Sequence, residues 1–208
     1  MIAVSYLKSI LSKEDTIKKI DKSDATFIHV DLMDGLYVPN KNFTIHEVLD
    51  DLKDVTKPLD IHLMVESPLQ YIDNLATLNP QIITFHLDSC NNPLEVINKI
   101  KEYNINVGIA INPNENIEIL NEYYNLIDYV LIMSVYPGLG GQEFIPSVLE
   151  KINNLQSKDL LIGIDGGINN ETIKYLKDKK VDIIISGSYI CMSDDYNEKI
   201  NELKKNMI

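Results

Sequence analysis

Apolar residues along the chain gather into short dense runs, separated by longer stretches in which they recur at helical spacing. The runs at 2–6 (IAVSY), 26–33 (TFIHVDLM), 59–64 (LDIHLM), 81–86 (QIITFH), 106–111 (NVGIAI), 129–135 (YVLIMSV), 161–165 (LIGID) and 182–187 (DIIISG) read as strands. Helical stretches with recognisable starts lie between them. Asn92-Pro93 opens "PLEVINKIKEY", with proline in the first turn, where its missing N–H costs nothing. Asn170 before "ETIKYLKD" reads as an N-cap followed by an acidic first turn, and Ser67 and Pro68 take the cap and first-turn roles in "SPLQYIDNLATL". Eight strands, each followed by a helix, predict an α/β fold with parallel strands and right-handed crossovers. Eight such units close into a single-domain (β/α)8 TIM barrel with eight parallel strands, spanning residues 1–208. A doubly wound open sheet is the rival architecture, but it more naturally shows five or six units. No composition break or long Gly/Ser/Pro linker divides the chain.

Side chains alternate along a strand, so the pattern also sorts residues by side. In the second strand Ile28, Val30 and Leu32 face the helices, while Phe27, His29, Asp31 and Met33 point into the barrel. The third strand sends Leu59, Ile61 and Leu63 outward and Asp60, His62 and Met64 inward. Ile162 and Ile164 of the seventh face outward, leaving Asp165 inward at the strand's last residue. Taken singly, a strand histidine is more often a hydrogen-bonded core residue, and a strand-end aspartate more often caps the next turn. The conjunction is different. Burying ionisable groups costs several kcal/mol each, on the order of a lost ion pair, unless they are paired or bind a metal. His29, Asp31, His62 and Asp165 all approach the C-terminal mouth, where barrel enzymes place their chemistry. A His2Asp2 set of this kind predicts one divalent metal; Zn²⁺ or Fe²⁺ suits it best, and Mn²⁺ or Co²⁺ is acceptable.

The formal charge of −12 and pI near 4.7 argue against a nucleic-acid or anionic-membrane partner, since both need clustered cations. Cys90 and Cys191 show no metal-ligand spacing and read as small buried hydrophobes in a reducing compartment. No signal-peptide pattern opens the chain and no apolar window approaches about 18 residues, so a soluble cytoplasmic protein is expected. Glycine-rich loops follow three consecutive strands: "YPGLGGQ" (136–142), "DGG" (165–167) and "SGS" (186–188). Glycines there let backbone N–H groups close on a phosphate, which predicts a phosphorylated substrate. The loop at 138–141 has glycines at both ends and could also serve as a lid.

Four blocks, "FIHVDLMDGLYVPN", "PLDIHLMVESPLQYI", "MSVYPGLGGQEFIPSVLEKI" and "IGIDGGIN", resemble the signature blocks of the ribulose-phosphate 3-epimerase family, in order along nearly the whole chain. The resemblance implies a (β/α)8 barrel that interconverts D-ribulose 5-phosphate and D-xylulose 5-phosphate with a divalent metal. It implies that His29, Asp31, His62 and Asp165 are the metal ligands, with Asp31 and Asp165 also the acid/base pair. Ser5 matches a substrate-contacting serine, and His62 joins the substrate set. Gly138, Leu139, Gly140, Gly141, Gly166, Gly167, Gly187 and Ser188 match the backbone that holds the sugar phosphate. Met33, Met64 and Met133 match the methionines that wall the site. The chain departs from the family pattern in Val4 and Tyr6 around Ser5, and at Leu36, Tyr136 and Leu139. These positions lie near the substrate rather than the ligands, so they bear on which ketose phosphate fits.

Inverting a carbon next to a ketone requires removing a proton from one face and returning one to the other, which two carboxylates on opposite sides can do. A six-carbon substrate such as allulose 6-phosphate is the alternative, and a non-catalytic sugar-phosphate-binding barrel or a metallohydrolase is a more distant one. His86 in "TFHLDS" points to the same mouth and either touches substrate, orients a ligand or is structural. His46 reads as a surface or helix-start residue. A homo-oligomer is a family expectation only.

Overall fold

A computed structural model describes residues 1–207. Eight parallel strands close in sequence order: β1 (Ile2–Ser5), β2 (Phe27–Met33), β3 (Leu59–Met64), β4 (Ile82–His86), β5 (Asn106–Ile111), β6 (Tyr129–Met133), β7 (Leu161–Asp165) and β8 (Ile183–Ile185). β8 pairs back onto β1 through Ile2↔Ile184 and Ala3↔Ile185. The α-helices are α1 (Lys13–Asp21), α2 (Ile45–Leu52), α3 (Leu69–Ala76), α4 (Pro93–Glu102), α5 (Leu149–Leu155), α6 (Ser188–Cys191) and α7 (Tyr196–Met207). Among the described residues no helix is long and apolar enough to cross a membrane.

The alternation read from the sequence holds. Val4, Ile28, Val30, Leu32, Ile61, Leu63, Ile162 and Ile164 belong to the large core between strands and helices. Ala3, Phe27, Ile82, Ala110, Tyr129, Leu131, Met133, Ile183 and Ile185 form a second core inside the barrel. Register then levels the functional residues: Ser5 pairs with His29, Asp31 with His62, Met33 with Met64, and Met133 with Asp165. A shift by one residue on β2 would turn His29 and Asp31 towards the helices.

The helical half departs from expectation in several places. After β5 the chain makes a 3-10 turn, Ile117–Leu120, and after β7 another, Thr172–Leu176, in place of α-helices. The first carries β-branched Ile117 and Ile119 behind an Asn/Pro-rich start. The second is cut short by extended backbone at Lys177 and a left-handed Asp178, φ 65°. Asn170 is not its cap; Asn169 Oδ1 accepts from the N–H groups of Glu171 and Thr172. Ser67 makes no side-chain cap either. It sits at φ 56°, and Pro68 is the residue that enters α3. Pro93 opens α4 as read, though Asn92 forms no side-chain cap bond. Thr44 and Glu47 form a capping box on α2, and His46 lies exposed in its first turn. The free thiols differ: Cys191 is buried and Cys90 half-buried.

Below the mouth the barrel is filled by one large side chain. The Tyr129 ring occupies space left by two glycines, and a Cβ on Gly163 would stand 1.8 Å from its Oη, while one on Gly108 would stand 2.3 Å from Thr84 Oγ1 and 2.8 Å from the Tyr129 ring. Neither contact is sterically tolerable, so the ring must move if either glycine gains a methyl. Gly163→Ala should therefore cost about 3 kcal/mol in chemical denaturation, by overpacking. Adding Tyr129→Leu should recover part of that loss in a double-mutant cycle; equal destabilisation with and without Tyr129 would contradict the packing account.

Candidate functional site

Inside the barrel mouth the ionisable side chains form one continuous polar chain. Asp60, on β3, places Oδ2 2.7 Å from His29 Nδ1. An ionised carboxylate only accepts, so His29 carries its proton on Nδ1 and turns Nε2 towards the mouth. That Nε2 lies 3.3 Å from Asp31 Oδ1 and makes no hydrogen bond. Asp31 Oδ1 is 3.2 Å from His62 Nδ1, and its Oδ2 accepts a 2.7 Å bond from the Ser5 hydroxyl. His62 Nε2 in turn lies 2.9 Å from His86 Nε2. His29, Asp60, His62 and His86 are fully buried, and Asp31 nearly so.

Asp165, at the end of β7, completes a group of four. One donor atom each from His29, Asp31, His62 and Asp165 all fall within 4.8 Å of one another. The fit to a divalent ion is chemical as well as spatial. His29 offers an orphaned ring nitrogen, two carboxylates stand close together, and both imidazoles have outer partners that fix their rings. If His62 presents Nδ1 to the shared space, Nε2 bears its proton and donates to His86. The four residues could hold a metal as the sequence suggested. His86 resolves to one of its readings: it packs behind His62, its ring 4.9 Å from that of Tyr37, and does not line the cleft.

The two carboxylates differ in proton affinity. Burial raises the Asp31 carboxyl, but His29 and His62, through charge and hydrogen bonds, outweigh it and hold Asp31 well below the usual range. Burial raises Asp165 too, and the Asp31 charge adds to it, so Asp165 is pushed up to about 6. Its side chain is open to the cleft, yet its carboxyl is enclosed by protein on the scale that governs charge. Burial disfavours a charged His29, but Asp60 and Asp31 on either side keep its proton affinity well above that of free imidazole.

The cleft above this group is lined by Ser5, Met33, Met64 and Met133 and by the loops after β6, β7 and β8. Each glycine-loop residue named from the sequence, Gly138, Leu139, Gly140, Gly141, Gly166, Gly167, Gly187 and Ser188, reaches it. His29 and His62 lie below the lining, in the barrel interior. Gly167 has φ +64°, and a Cβ there would come 2.6 Å from the Phe144 nitrogen; one on Gly187 would come 3.0 Å from the Ser5 carbonyl. Bare backbone lets these loops close on each other. Residues the sequence reading missed hold the frame. Asn42 bridges the Asp31 carbonyl and the Met33 N–H, and Asn40 donates 2.7 Å to the Gly138 carbonyl. Gln142 donates to the carbonyls of Tyr136 and Leu139, bracing the glycine loop. Asp60 had been placed inward with no role; its partner on β2 was the missing information.

Residues 1–191 match the family described as the ribulose-phosphate 3 epimerase family. The chain belongs to that family. Among its curated relatives, a Bacillus subtilis protein named ribulose-phosphate 3-epimerase is 36% identical over 97% of this chain and 98% of its own. A Helicobacter pylori protein of the same name is 41% identical over 88% of this chain and 87% of its own. Membership makes this chain an isomerase of the epimerase class. Of solved structures, a KGPDC from Streptococcus mutans superposes with a TM-score of 0.73 over 99% of this chain and 96% of that one, at 13% identity. A thiamine phosphate pyrophosphorylase from Pyrococcus furiosus gives 0.66 at 17% identity, over 99% and 94%. At such identities the likeness is one of fold alone.

A raised Asp165 carboxyl has a consequence for this epimerase without metal. The folded state holds that proton up to about pH 6, whereas the unfolded chain loses it near 3.8. The native state therefore binds more protons between those values, and metal-free stability falls as pH rises through the window. Asp165→Asn should stabilise chelator-treated protein at pH 8 by about 3 kcal/mol, read as a raised melting temperature, and leave it little changed at pH 4. An unchanged melting temperature at pH 8 would refute this. The outer partners generate a second expectation. His86→Ala and Asp60→Ala should each weaken Co²⁺ binding about 10–100-fold in chelator competition, with folding checked by circular dichroism.

Proposed function

We propose that this protein inverts carbon 3 of a 2-ketose phosphate, converting D-ribulose 5-phosphate to D-xylulose 5-phosphate, through proton transfer by Asp31 and Asp165. The observation that carries the reading is the pair itself: two carboxylates lining one cleft, on strands separated by β8 and β1. Epimerisation removes the proton beside the ketone and returns one on the opposite face. The ionised carboxylate of Asp31 accepts at one face of the planar enediolate, and the protonated carboxyl of Asp165 donates at the other. Roles reverse in the reverse direction. Ser5 donates to Asp31 Oδ2 and so fixes which oxygen faces the substrate.

His29, Asp31, His62 and Asp165 would hold one divalent ion, Zn²⁺ or Fe²⁺ by preference and Mn²⁺ or Co²⁺ acceptably, which supplies Lewis-acid stabilisation of negative charge on the substrate oxygens. Met33, Met64 and Met133 form an apolar wall at the reacting end of the cleft. They exclude water and strengthen every charge interaction there. Backbone N–H groups of the loops at 138–141, 166–167 and 187–188 hold the remote phosphate, whose binding positions the reacting carbon. The free thiols of Cys90 and Cys191 suit a reducing cytoplasmic setting.

The test is NMR of metal-loaded protein with D-ribulose 5-phosphate in heavy water, following loss of the carbon-3 proton and appearance of the epimer together. Wild-type protein should show both. Asp31→Asn and Asp165→Asn should each lower turnover about 10³-fold. Near-normal turnover in either variant would remove that residue from the pair, and turnover of allulose 6-phosphate alone would transfer the reading to the six-carbon sugar.

A further inference from the structure

The cleft has a charge problem that its glycines do not solve. The chain contains 31 acidic residues against 19 basic ones, and every basic residue is lysine. Two carboxylates, Asp31 and Asp165, face the cleft. A phosphate monoester brings about −1.5 to −2 more at neutral pH. Backbone N–H groups offer dipoles but no net charge, and a metal among the four inward ligands offsets the carboxylates at the other end.

One cation lines the cleft among the described residues, and it is Lys8. It follows β1, three residues after Ser5, in a segment anchored by the bond from the Leu7 N–H to Ser5 Oγ. Its stem lies along the glycine loop: a Cβ on Gly140 would stand 3.6 Å from Lys8 Cβ, and one on Gly141 would stand 3.1 Å from Lys8 Nζ. A side chain at Gly141 would crowd the ammonium, whereas one at Gly140 would make only ordinary contact with the stem. Some lysines elsewhere on the fold are tied down, Lys13 to Asp51 at 2.5 Å and Lys151 to the Asn112 carbonyl at 2.6 Å. Lys8 Nζ has no such partner among the described residues. It stands beside the N–H groups of the loop with all three donors available.

We propose that Lys8 is the charged member of the phosphate subsite and sets the preference of this cleft for a dianionic phosphate. The proposal rests on the reading of the cleft as a ketose-phosphate site and adds the residue that gives that site its charge. The ammonium reaches the phosphate from the β1 side while the backbone donors reach it from the loops after β6, β7 and β8. A charge-assisted contact there adds affinity without touching the reacting carbon. It would also join the segment after β1 to the loop at 138–141 when substrate is bound.

The experiment compares wild type, Lys8→Gln and Lys8→Arg as full-length, metal-loaded proteins. KM and kcat are measured on D-ribulose 5-phosphate, and the Kd for inorganic phosphate is measured by calorimetry. Lys8→Gln should raise both KM and the phosphate Kd about tenfold, with a much smaller change in kcat, and Lys8→Arg should return both to within about threefold of wild type. Raising ionic strength should weaken phosphate binding more in wild type than in Lys8→Gln. KM and phosphate Kd within twofold of wild type in Lys8→Gln would overturn the proposal, as would failure of Lys8→Arg to rescue. If wild type binds phosphate in a Lys8-dependent way yet turns over no ketose phosphate, the subsite stands and the epimerase reading falls. If it neither binds phosphate nor turns over substrate, both fall.

Discussion

The structure depends on one constraint: ionisable groups are held inside a protein barrel, where each is expensive unless another neutralises it. The solution is a polar sequence running Asp60, His29, Asp31, His62, His86 across three adjacent strands, hydrogen-bonded at every link except the 3.3 Å approach of His29 Nε2 to Asp31. His29 and His62 each stand between two partners, so neither imidazole is free to turn. Burial opposes a charged His29, and the carboxylates on both sides outweigh it and raise its proton affinity. Asp165 lies outside this compensation. Burial raises its carboxyl, the Asp31 charge adds to that, and no hydrogen-bonded partner among those groups offsets the rise. The asymmetry between the two aspartates thus comes from their neighbours, not from their residue type.

Geometry below the mouth serves the same end. Parallel pairing fixes Asp31 opposite His62, and Met133 opposite Asp165, with no loop involved in either relation. Tyr129 fills the interior beneath them and is admitted by Gly108 and Gly163. A floor packed this tightly leaves the inward side chains of β2 and β3 few alternative rotamers, which preorganises the site before any ligand arrives. Above the floor, adaptability is confined to loops. The loop at 138–141 leans on Asn40, Gln142 and Lys8 rather than on the barrel.

Much of this was legible in the sequence because strand alternation is a strict two-residue code. His29, Asp31, His62 and Asp165 were placed on one side by counting, and the barrel order then brought them together. What alternation gives is a direction, not a neighbour. It put Asp60 inward without saying that β2 would set His29 against it, and it left His86 with three roles that only the 2.9 Å distance to His62 could separate. The helical connections were less legible. Asn169 and Asn170 are equally good caps by residue type, and the choice between them was made by the turn geometry after the glycines. Short 3-10 turns after β5 and β7 likewise follow from where the backbone must stop, which local propensity does not encode.

The division between floor and loops separates two kinds of specificity. On the proposed reading, proton transfer needs fixed distances between Asp31, Asp165 and a reacting carbon, and these would come from strand ends that register holds. On the same reading, choice among ketose phosphates needs only a match of length and charge at the far end, which is lined by glycine backbone with exposed Leu139 and Lys8 at its rim. Leu36 does not line the cleft, against the expectation from sequence, but substitutions at Tyr136 or Leu139 can change what fits without disturbing the carboxylates. A family sharing this floor can diverge in substrate while retaining one chemistry, because the interactions that set proton affinity and those that set substrate reach lie on different parts of the chain.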